Sequence, residues 1–442
     1  MARILFLDDN VRNIGGHYLE LADLLATGAI ELGYQAELIA NKSYSPCRND
    51  SRLRVDDRLK VHAEFDVRRM ETWSLGVDGS GRCLRESVTG GPLGTTAQRL
   101  RQTFLDRVAK SRRRPRRMLD RWSEVFSNAV RRFDPTHEDS IVVNTGCDFQ
   151  MLALSQAIKK LAARRSSLSL NISVLFHFAV FDGRIARMAI DYGRQVNSAL
   201  QEMSGHQVNL FATTEKLADQ LRFVGVSARA VPYPTRVPLR LKNAAAPAPK
   251  VMLAGIPRAE KGRHQIRTLI NEIEPNLRQR IIRLSMQLPA KRWQRFVPSS
   301  ALELCNTGEP TSAIECVFGN QTDHQYHSWI DGADIGLFLY DPDRYVARCS
   351  GVLLEMLSRG IPVIVPTGCW LSDKVDEAPD RIGWVYENAS ELPTLIRRAS
   401  AELDTVRINA IRHAASVANT HNGVATLRAM GIQNRVRSAS AA

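Results

Sequence analysis

With 442 residues, the chain is too long for one ordinary hydrophobic core, so we expect two domains. Its composition is that of a soluble globular protein, and its longest weakly polar run, residues 168–181, is too short to span a bilayer. Seven cysteines without a C-x-x-C pair argue against a disulfide framework and favour a reduced, cytoplasmic location. The opening letters MARILFLDDN predict a first core strand rather than a signal peptide.

The net charge of +14 is concentrated in one segment. Between Arg99 and Arg132, twelve Lys or Arg residues stand against three acids, and the densest run is KSRRRPRR at 110–117. Such a run is commonly a solvated helix face. The alternatives are contact with an anionic membrane surface or with an acidic, phosphate-bearing acceptor. Nucleic acid is not favoured, because the aromatic residues here have the spacing of a buried helix face and not of a stacking platform.

In the first half of the chain, short apolar strands alternate with helical segments, which predicts a parallel, doubly wound sheet. Residues 42–98, which include a glycine-rich stretch, predict only loop or hairpin. The predicted strands are 3–9, 35–41, 140–146, 171–178 and 208–214, and the predicted helices are 16–32, 149–164, 184–203 and 214–224.

A proline-rich stretch at 231–250 predicts an interdomain linker, after which the same alternation restarts. We therefore predict an α/β protein with two Rossmann-like, doubly wound domains, 1–230 and 251–432, that face a cleft, and a flexible tail at 433–442. Ligands of open parallel sheets bind at the carboxyl ends of the strands, so we expect the site there. The predicted strands of the second half are 250–256, 279–286, 313–319, 333–340, 361–366 and 382–387, and the helices are 263–273, 323–331, 351–359, 390–401 and 404–418.

Gly15 and Gly16 follow the first strand and open a helix, with His17 next to them. Glycines in that place let the backbone approach a ligand and present free amides, although they fit a plain tight turn equally well. The stretch is not a G-x-G-x-x-G, and no acid ends the second strand. A nicotinamide cofactor is therefore not supported.

The stretch LAGIPRAEKGRHQI follows the first strand of the second half in the same manner. Arg258 and Lys261 lie in the loop between strand and helix, with Gly255 and Gly262 as its turning points. Two cations three residues apart at the carboxyl end of a strand suit a diphosphate. The alternative is an ordinary charged surface loop.

A third strand end, in FLYDPDRYVARCSGVLLEML, leads into a helix at Ser350–Gly351. Free backbone N–H groups at a helix start favour an anion. Glu355, one turn inside, would repel phosphate but suits the hydroxyl groups of a ribose or sugar. Alternatively, Glu355 only complements the helix dipole. Asp341 and Asp343 have the spacing of a D-x-D motif, but the nearby lysine makes a metal ion unnecessary for holding a diphosphate.

Together, the two Rossmann-like halves, the Gly-Gly turn, G-x-x-x-x-E-K-G at 255–262 and SGVLLEMLSRGIPVIV resemble the GT-B glycosyltransferases. The most similar type is the retaining, family-four-like "glycosyl transferases group 1". The resemblance covers nearly the whole chain in architecture but only about forty residues in motifs. It implies a donor site in the C-terminal domain and an acceptor surface around Gly15, Gly16 and His17.

The resemblance carries individual roles onto this sequence. It implies that Lys261 and Arg258 bind the donor diphosphate and that Glu355, the second acid of the E-x7-E motif, binds the ribose. The first acid of that motif, which contacts the donor sugar, falls on Ala347, so Arg348, Ser350 and Gly351 are the candidates for this part of the site. The resemblance also places a histidine beside the donor sugar, and His177 in VLFHFAVFDG stands at such a strand end.

The expected function is transfer of a sugar from a nucleotide-diphosphate sugar to an acceptor hydroxyl, in glycan or cell-surface polysaccharide biosynthesis. His177 and His17 are the catalytic candidates, no cofactor or metal is expected, and the acceptor is a glycan or a lipid-linked molecule. Two rivals stay open. One is a sugar-nucleotide epimerase, which needs an acid and base pair. The other is a catalytically silent GT-B scaffold that binds glycans or partners, for which Ala347 is the main support.

Overall fold

The computed structural model describes residues 2–12, 17–44, 58–67, 113–163, 169–181, 189–236, 248–306 and 312–433. The chain forms two compact units, Met1–Val231 with Leu427–Ala442, and Pro232–Thr426. Apart from residue 433, the expected tail at 433–442 lies outside the described residues. The expected domains differ from these units in two respects: residues 232–250, expected as a linker, group with the second unit, and the C-terminal segment groups with the first unit. In that segment Leu427 is fully buried, and the carbonyl of Gln433 accepts a hydrogen bond from the Tyr34 hydroxyl at 3.1 Å.

In the described part of the first unit, seven parallel strands form one sheet in the order β3-β2-β1-β4-β5-β6-β7. Parallel neighbours need crossover connections, which the helices provide. The elements are β1 (Arg3–Leu7), α1 (His17–Glu31), β2 (Gln35–Asn41), β3 (Leu59–Phe65), α2 (Arg113–Phe133), β4 (Ser140–Gly146), α3 (Asp148–Ala162), β5 (Asn171–Phe176), α4 (Ile190–Glu202), β6 (Gln207–Ala212), α5 (Glu215–Phe223) and β7 (Arg229–Ala230).

The strand β3 lies within the region for which the sequence predicted only loop or hairpin. Its letters, LKVHAEF, carry polar residues at positions that stay partly exposed, since β3 is at the edge of the sheet. Phe65 is fully buried and stacks on Trp122 of α2, with ring centroids 5.2 Å apart. The edge position explains why the apolar signal of this strand is weak.

The second unit has a second seven-stranded parallel sheet within its described residues, in the order β10-β11-β9-β8-β12-β13-β14. The predicted fold class, two parallel Rossmann-like sheets, is thus confirmed. The elements are β8 (Lys250–Leu253), α6 (Ile266–Arg278), β9 (Arg283–Leu288), β10 (Cys305–Asn306), β11 (Ile314–Phe318), α7 (Asp323–Asp331), β12 (Ile335–Leu337), α8 (Pro342–Tyr345), α9 (Gly351–Leu357), β13 (Val363–Pro366), α10 (Trp370–Asp376), β14 (Gly383–Tyr386), α11 (Leu392–Ala401), α12 (Leu403–Thr420) and α13 (Gly423–Ala429).

An ion pair is buried in the second unit. Arg407 of α12 donates from Nη2 to Oδ1 of Asp334 at 2.7 Å, and the two side chains are 4% and 0% exposed. The second carboxylate oxygen, Oδ2, accepts from the backbone N–H of Lys250 at 2.8 Å, at the start of β8. The pair therefore joins α12 to the central strands of the sheet.

Across the ranges that the model describes, every helix is too short or too polar to cross a membrane.

Candidate functional site

The strand order of the second sheet reverses between β8 and β12, because the chain proceeds from β8 to β9 on one side and to β12 on the other. Open parallel sheets bind ligands beyond the carboxyl ends of the strands at such a switch point. The loops that follow these two strands carry Arg258 and Lys261 after β8, and Arg348 and Ser350 after β12. Sheet topology thus brings together residues that the sequence assigned to a donor site.

Lys261 lies at the centre of this region. Its ammonium group is 5.1 Å from the ring centroid of Tyr340, which is buried. A Cβ on Gly255 would lie only 3.0 Å from Nζ, and Gly255 has a left-handed backbone with φ of +91°. In the described ranges, no carboxylate lies within 4.0 Å of the Lys261 ammonium to form an ion pair. In these ranges the loop therefore holds a cation without a direct ion-pair partner.

The surroundings of Lys261 lower its pKa below the usual 10.5. Burial is the largest cause, and the positive charges of Arg258 and Arg348 act in the same direction. A bound anion would oppose all three effects, because it would compensate the ammonium charge. The site is therefore electrostatically prepared for an anion.

As pH rises, the affinity for a diphosphate should begin to fall at a lower pH than it would if Lys261 had the pKa of an ordinary lysine. The protonated ammonium binds the anion, so affinity falls as pH rises through the lowered pKa of Lys261. Titration of a nucleoside diphosphate between about pH 7.5 and pH 10, where its phosphates are already ionised, measures this loss. Lys261→Arg should keep its affinity over the same range, because a guanidinium stays protonated. Parallel pH profiles of the two proteins would contradict the assignment.

Two tyrosines connect Lys261 to Arg348. The rings of Tyr340 and Tyr345 lie 4.5 Å apart, and the guanidinium of Arg348 is 5.5 Å from the Tyr345 ring centroid. Burial raises the pKa of Tyr345 to about 12, although the nearby Lys261 opposes the rise. Both phenols therefore stay neutral and serve as an apolar wall for the cations.

Tyr340 also shows which of the predicted residues converge. Burial raises its pKa, and Ser350, Arg348, Arg258 and Glu355 all lie close enough to modify that pKa. Tyr340 and Tyr345 were assigned no role from the sequence. A signal was present, since Tyr340 ends the predicted strand 333–340 and aromatic rings often support cations.

Arg258 is the more exposed of the two loop cations, with 57% of its side chain accessible, and lies 4.0 Å from Glu260. At that distance and exposure the pair is weak, so the guanidinium is available to a ligand. Gly262 closes the loop in a left-handed conformation with φ of +67°. A Cβ there would lie 2.1 Å from the carbonyl oxygen of Leu339, so the close approach of the two loops requires glycine.

The start of α9 offers less to an anion than the sequence indicated. The helix has seven residues, and the Ser350 hydroxyl caps it by accepting from the backbone N–H of Leu353 at 3.3 Å. A Cβ on Gly351 would lie 3.5 Å from the ring of Tyr233, which is an ordinary van der Waals distance. The cations of the preceding loops, and not this helix end, are therefore the main electrostatic feature of the site.

Glu355 is 7% exposed, and its Oε2 accepts a hydrogen bond from the Tyr326 hydroxyl at 2.8 Å. Ala347, where the resemblance implies the other acid, is 1% exposed. Asp341 caps the short helix α8 by accepting from the backbone N–H of Asp343 at 3.1 Å, which gives that carboxylate a structural role. Among the described residues, no three His, Cys, Asp or Glu side chains converge as a metal site.

The first sheet has its own switch point, between β1 and β4. Asp8 follows β1 and is buried, and its carboxylate accepts from the hydroxyl of Thr145 at 3.1 Å. The pair of Asp8 and Thr145 was not predicted from the sequence, although an acid directly after a strand is a signal of a functional residue. Gly15 and Gly16 lie outside the described residues, and His17 is the first residue of α1.

His177 lies at the carboxyl end of β5 and is 4% exposed. Its Nε2 is hydrogen-bonded to the backbone carbonyl of Asn144. A carbonyl can only accept, so Nε2 carries the proton and Nδ1 of the neutral ring is an acceptor. This tautomer leaves Nδ1 as the atom through which His177 can take up a proton.

The basic segment is described only in part, since residues 99–112 lie outside the described ranges. Within α2, Arg121 pairs with Asp66, and Arg132 pairs with Glu64 of β3. These arginines are therefore neutralised by the neighbouring strand and the residue after it. The side chains of the densest basic run, 110–117, lie outside what the structure describes.

No protein-family model matches this sequence, and no curated protein sequence matches it. Solved structures do match over nearly the full length. A sucrose-phosphate synthase from Thermosynechococcus elongatus is 15% identical, with a TM-score of 0.58 and 98% of each chain covered. The Anabaena protein HepE, solved in complex with UDP, is 11% identical, with a TM-score of 0.59 and 97% of this chain and 98% of that chain covered.

A third structure, WaaG, is described as a glycosyltransferase involved in lipopolysaccharide biosynthesis. It is 11% identical, with a TM-score of 0.56 and 97% of this chain and 98% of that chain covered. At these identities the likeness shows a shared fold, and it extends over both units of the chain.

Proposed function

We propose that this chain, which has the GT-B fold, is a glycosyltransferase that moves a sugar from a nucleotide-diphosphate sugar to an acceptor hydroxyl. The observation that carries the proposal is Lys261, a cation with no carboxylate within 4.0 Å in the described part of the chain, held at the switch point of the second sheet. HepE, a structural relative, was solved with UDP, which supports a nucleotide ligand.

In this proposal the second unit binds the donor. Lys261 and Arg258 contact the diphosphate, and Glu355 accepts hydrogen bonds from ribose hydroxyls. Breaking the bond between the sugar and the diphosphate leaves negative charge on the departing phosphate oxygen. Fixed cations stabilise that charge most when water is excluded, so the half-buried Lys261 supplies the principal electrostatic contribution. Position 347, where the resemblance implies an acid that contacts the sugar, is an alanine here. The neighbouring Arg348 contacts the sugar instead.

The first unit binds the acceptor, through the turn at Gly15 and Gly16 and through His17. His177, whose Nε2 donates to the carbonyl of Asn144, is the catalytic candidate at the end of β5. The resemblance to the retaining type favours retention at the sugar, and loop cations at the diphosphate make a metal ion dispensable. Likeness to WaaG supports a glycan or lipid-linked acceptor.

The test is a panel of nucleotide sugars, first for thermal stabilisation of the purified protein and then for release of the nucleoside diphosphate. At least one donor should raise the melting temperature and release its diphosphate more rapidly when an acceptor is added. Stabilisation without release would favour the silent scaffold. Failure of every donor in both assays would refute the proposal.

We also propose that the segment 110–117 contacts an anionic membrane surface, on which a lipid-linked acceptor resides. Replacing Arg112, Arg113, Arg114, Arg116 and Arg117 by glutamine should reduce binding to phosphatidylglycerol vesicles by about tenfold or more, since each basic residue near such a surface contributes about 1 kcal/mol. Sedimentation with the vesicles measures the change. The matched control replaces five exposed arginines of the second unit: Arg267, Arg280, Arg292, Arg295 and Arg397. Equal loss in both variants, or none in either, would contradict the membrane contact.

A further inference from the structure

Tyr326 lies on α7, whereas the other residues of the proposed donor site belong to the loops after β8 and β12 and to α9. Its hydroxyl donates to Oε2 of Glu355 on α9 at 2.8 Å. Glu355 is 7% exposed, so this hydrogen bond is largely shielded from water. A shielded hydrogen bond to a charged group is strong and directional.

The two helices are also joined by Arg359, which lies two residues beyond the end of α9, four residues after Glu355, and is 3% exposed. Its Nε donates to Asp331 at 2.7 Å and its Nη2 donates to Nδ1 of His327 at 2.9 Å, and both partners belong to α7. Its Nη1 donates to the backbone carbonyl of Glu355 at 2.9 Å. Arg359 thus fixes α7 against α9 independently of Tyr326.

Because the helices are already fixed, Tyr326 is not needed to hold them together. The ring of Tyr326 is further confined by His327 and Trp329, with centroids 5.5 and 6.2 Å away. Its hydroxyl is therefore presented to Glu355 from a rigid support. A carboxylate bonded at one oxygen by a rigid donor is restricted in its rotation, and the direction of its other oxygen is set as well.

We propose that Tyr326 is a positioning residue that orients Glu355 for the ribose of the donor nucleotide and thereby sets the preference for ribo- over deoxyribonucleotides. This inference rests on the proposed function. Tyr326 is expected to act through Glu355, which makes the direct contact with the ribose.

The experiment compares dissociation constants of UDP, GDP, ADP and CDP with those of their 2′-deoxy forms. The wild-type protein should prefer its ribonucleotide by about tenfold or more, as expected for a hydrogen bond to a charged group. Tyr326→Phe should reduce that ratio by about threefold to tenfold. In a Glu355→Gln background, Tyr326→Phe should change the ratio no further, because its effect passes through Glu355.

Tyr386→Phe is the matched control, because it removes a buried hydroxyl of the same unit that donates to the backbone carbonyl of Phe338 and not to Glu355. It should leave the ratio unchanged even if the protein becomes less stable. A ratio that is unchanged or larger in Tyr326→Phe, or that falls equally in Tyr386→Phe, would overturn the role of Tyr326. If none of the four nucleotides binds the wild-type protein, the proposed function itself fails.

Discussion

Lys261→Ala is expected to weaken nucleoside diphosphate binding by about 10- to 100-fold, the effect of losing charge-assisted hydrogen bonds worth about 1.5–3 kcal/mol. Its ammonium lies 5.1 Å from the centroid of the Tyr340 ring, and in the described ranges no carboxylate lies within 4.0 Å of it. Removing it should not destabilise the fold, since burial already disfavours its charged form. Calorimetric titration with the nucleotide that stabilises the protein most measures the loss.

Lys374→Ala is the control for this substitution. Lys374 belongs to the same unit and pairs with Glu377 on the same helix and its cap, at 2.5 Å. Its removal deletes the same type of side chain and the same charge. Nucleotide affinity should therefore change by less than about twofold. If Lys261→Ala retained wild-type affinity, the donor site would have to lie elsewhere.

Arg407→Met is expected to destabilise the second unit by about 3–5 kcal/mol. Arg407 neutralises Asp334, which is fully buried, and methionine fills a similar volume without the charge. Asp334 would then keep a buried charge without its guanidinium partner, while the backbone N–H of Lys250 still donates to it. The midpoint of urea denaturation measures the loss of stability.

The double variant Arg407→Met with Asp334→Asn distinguishes charge from packing. Asparagine removes the uncompensated charge and can still accept from the Lys250 N–H, so it should recover part of the lost stability. Nucleotide affinity measured well below the denaturation midpoint should be unaffected, since both residues lie outside the proposed site. Additive losses in the double variant would mean that packing, and not charge, explains the effect.

Much of the fold was predictable because its strands are buried on both faces. The segment SIVVNTG of β4 is buried at every position, and such apolar runs are typical of parallel sheets. By contrast, β3 is an edge strand in which the exposed Lys60 and the half-buried Glu64 conceal the apolar pattern. Helix ends were less predictable: the helix expected at 263–273 begins at Ile266 and continues through Pro275 to Arg278.

The position of Lys261 and Arg258 in a loop directly after a strand was predictable from the sequence. The contacts between distant residues were not. Glu355 and Tyr326 are 29 positions apart on different helices, and no local pattern relates them. The contact between Lys261 and the ring of Tyr340 was not predictable either, because it depends on β8 and β12 being neighbours in the sheet. The roles of all the predicted site residues stay predictions: Lys261, Arg258, Glu355, Arg348, Ser350, Gly351, Gly15, Gly16, His177 and His17.

The chain passes from the first unit to the second after Val231 and returns to the first at Leu427. The second unit is therefore an insertion within the first, in terms of chain connectivity. During synthesis on the ribosome, β1 and its neighbours emerge early, but the partners of Tyr34 near Gln433 emerge only after the whole second unit. A truncation just before Leu427 would consequently damage the unit made first while leaving the sequence of the unit made later intact.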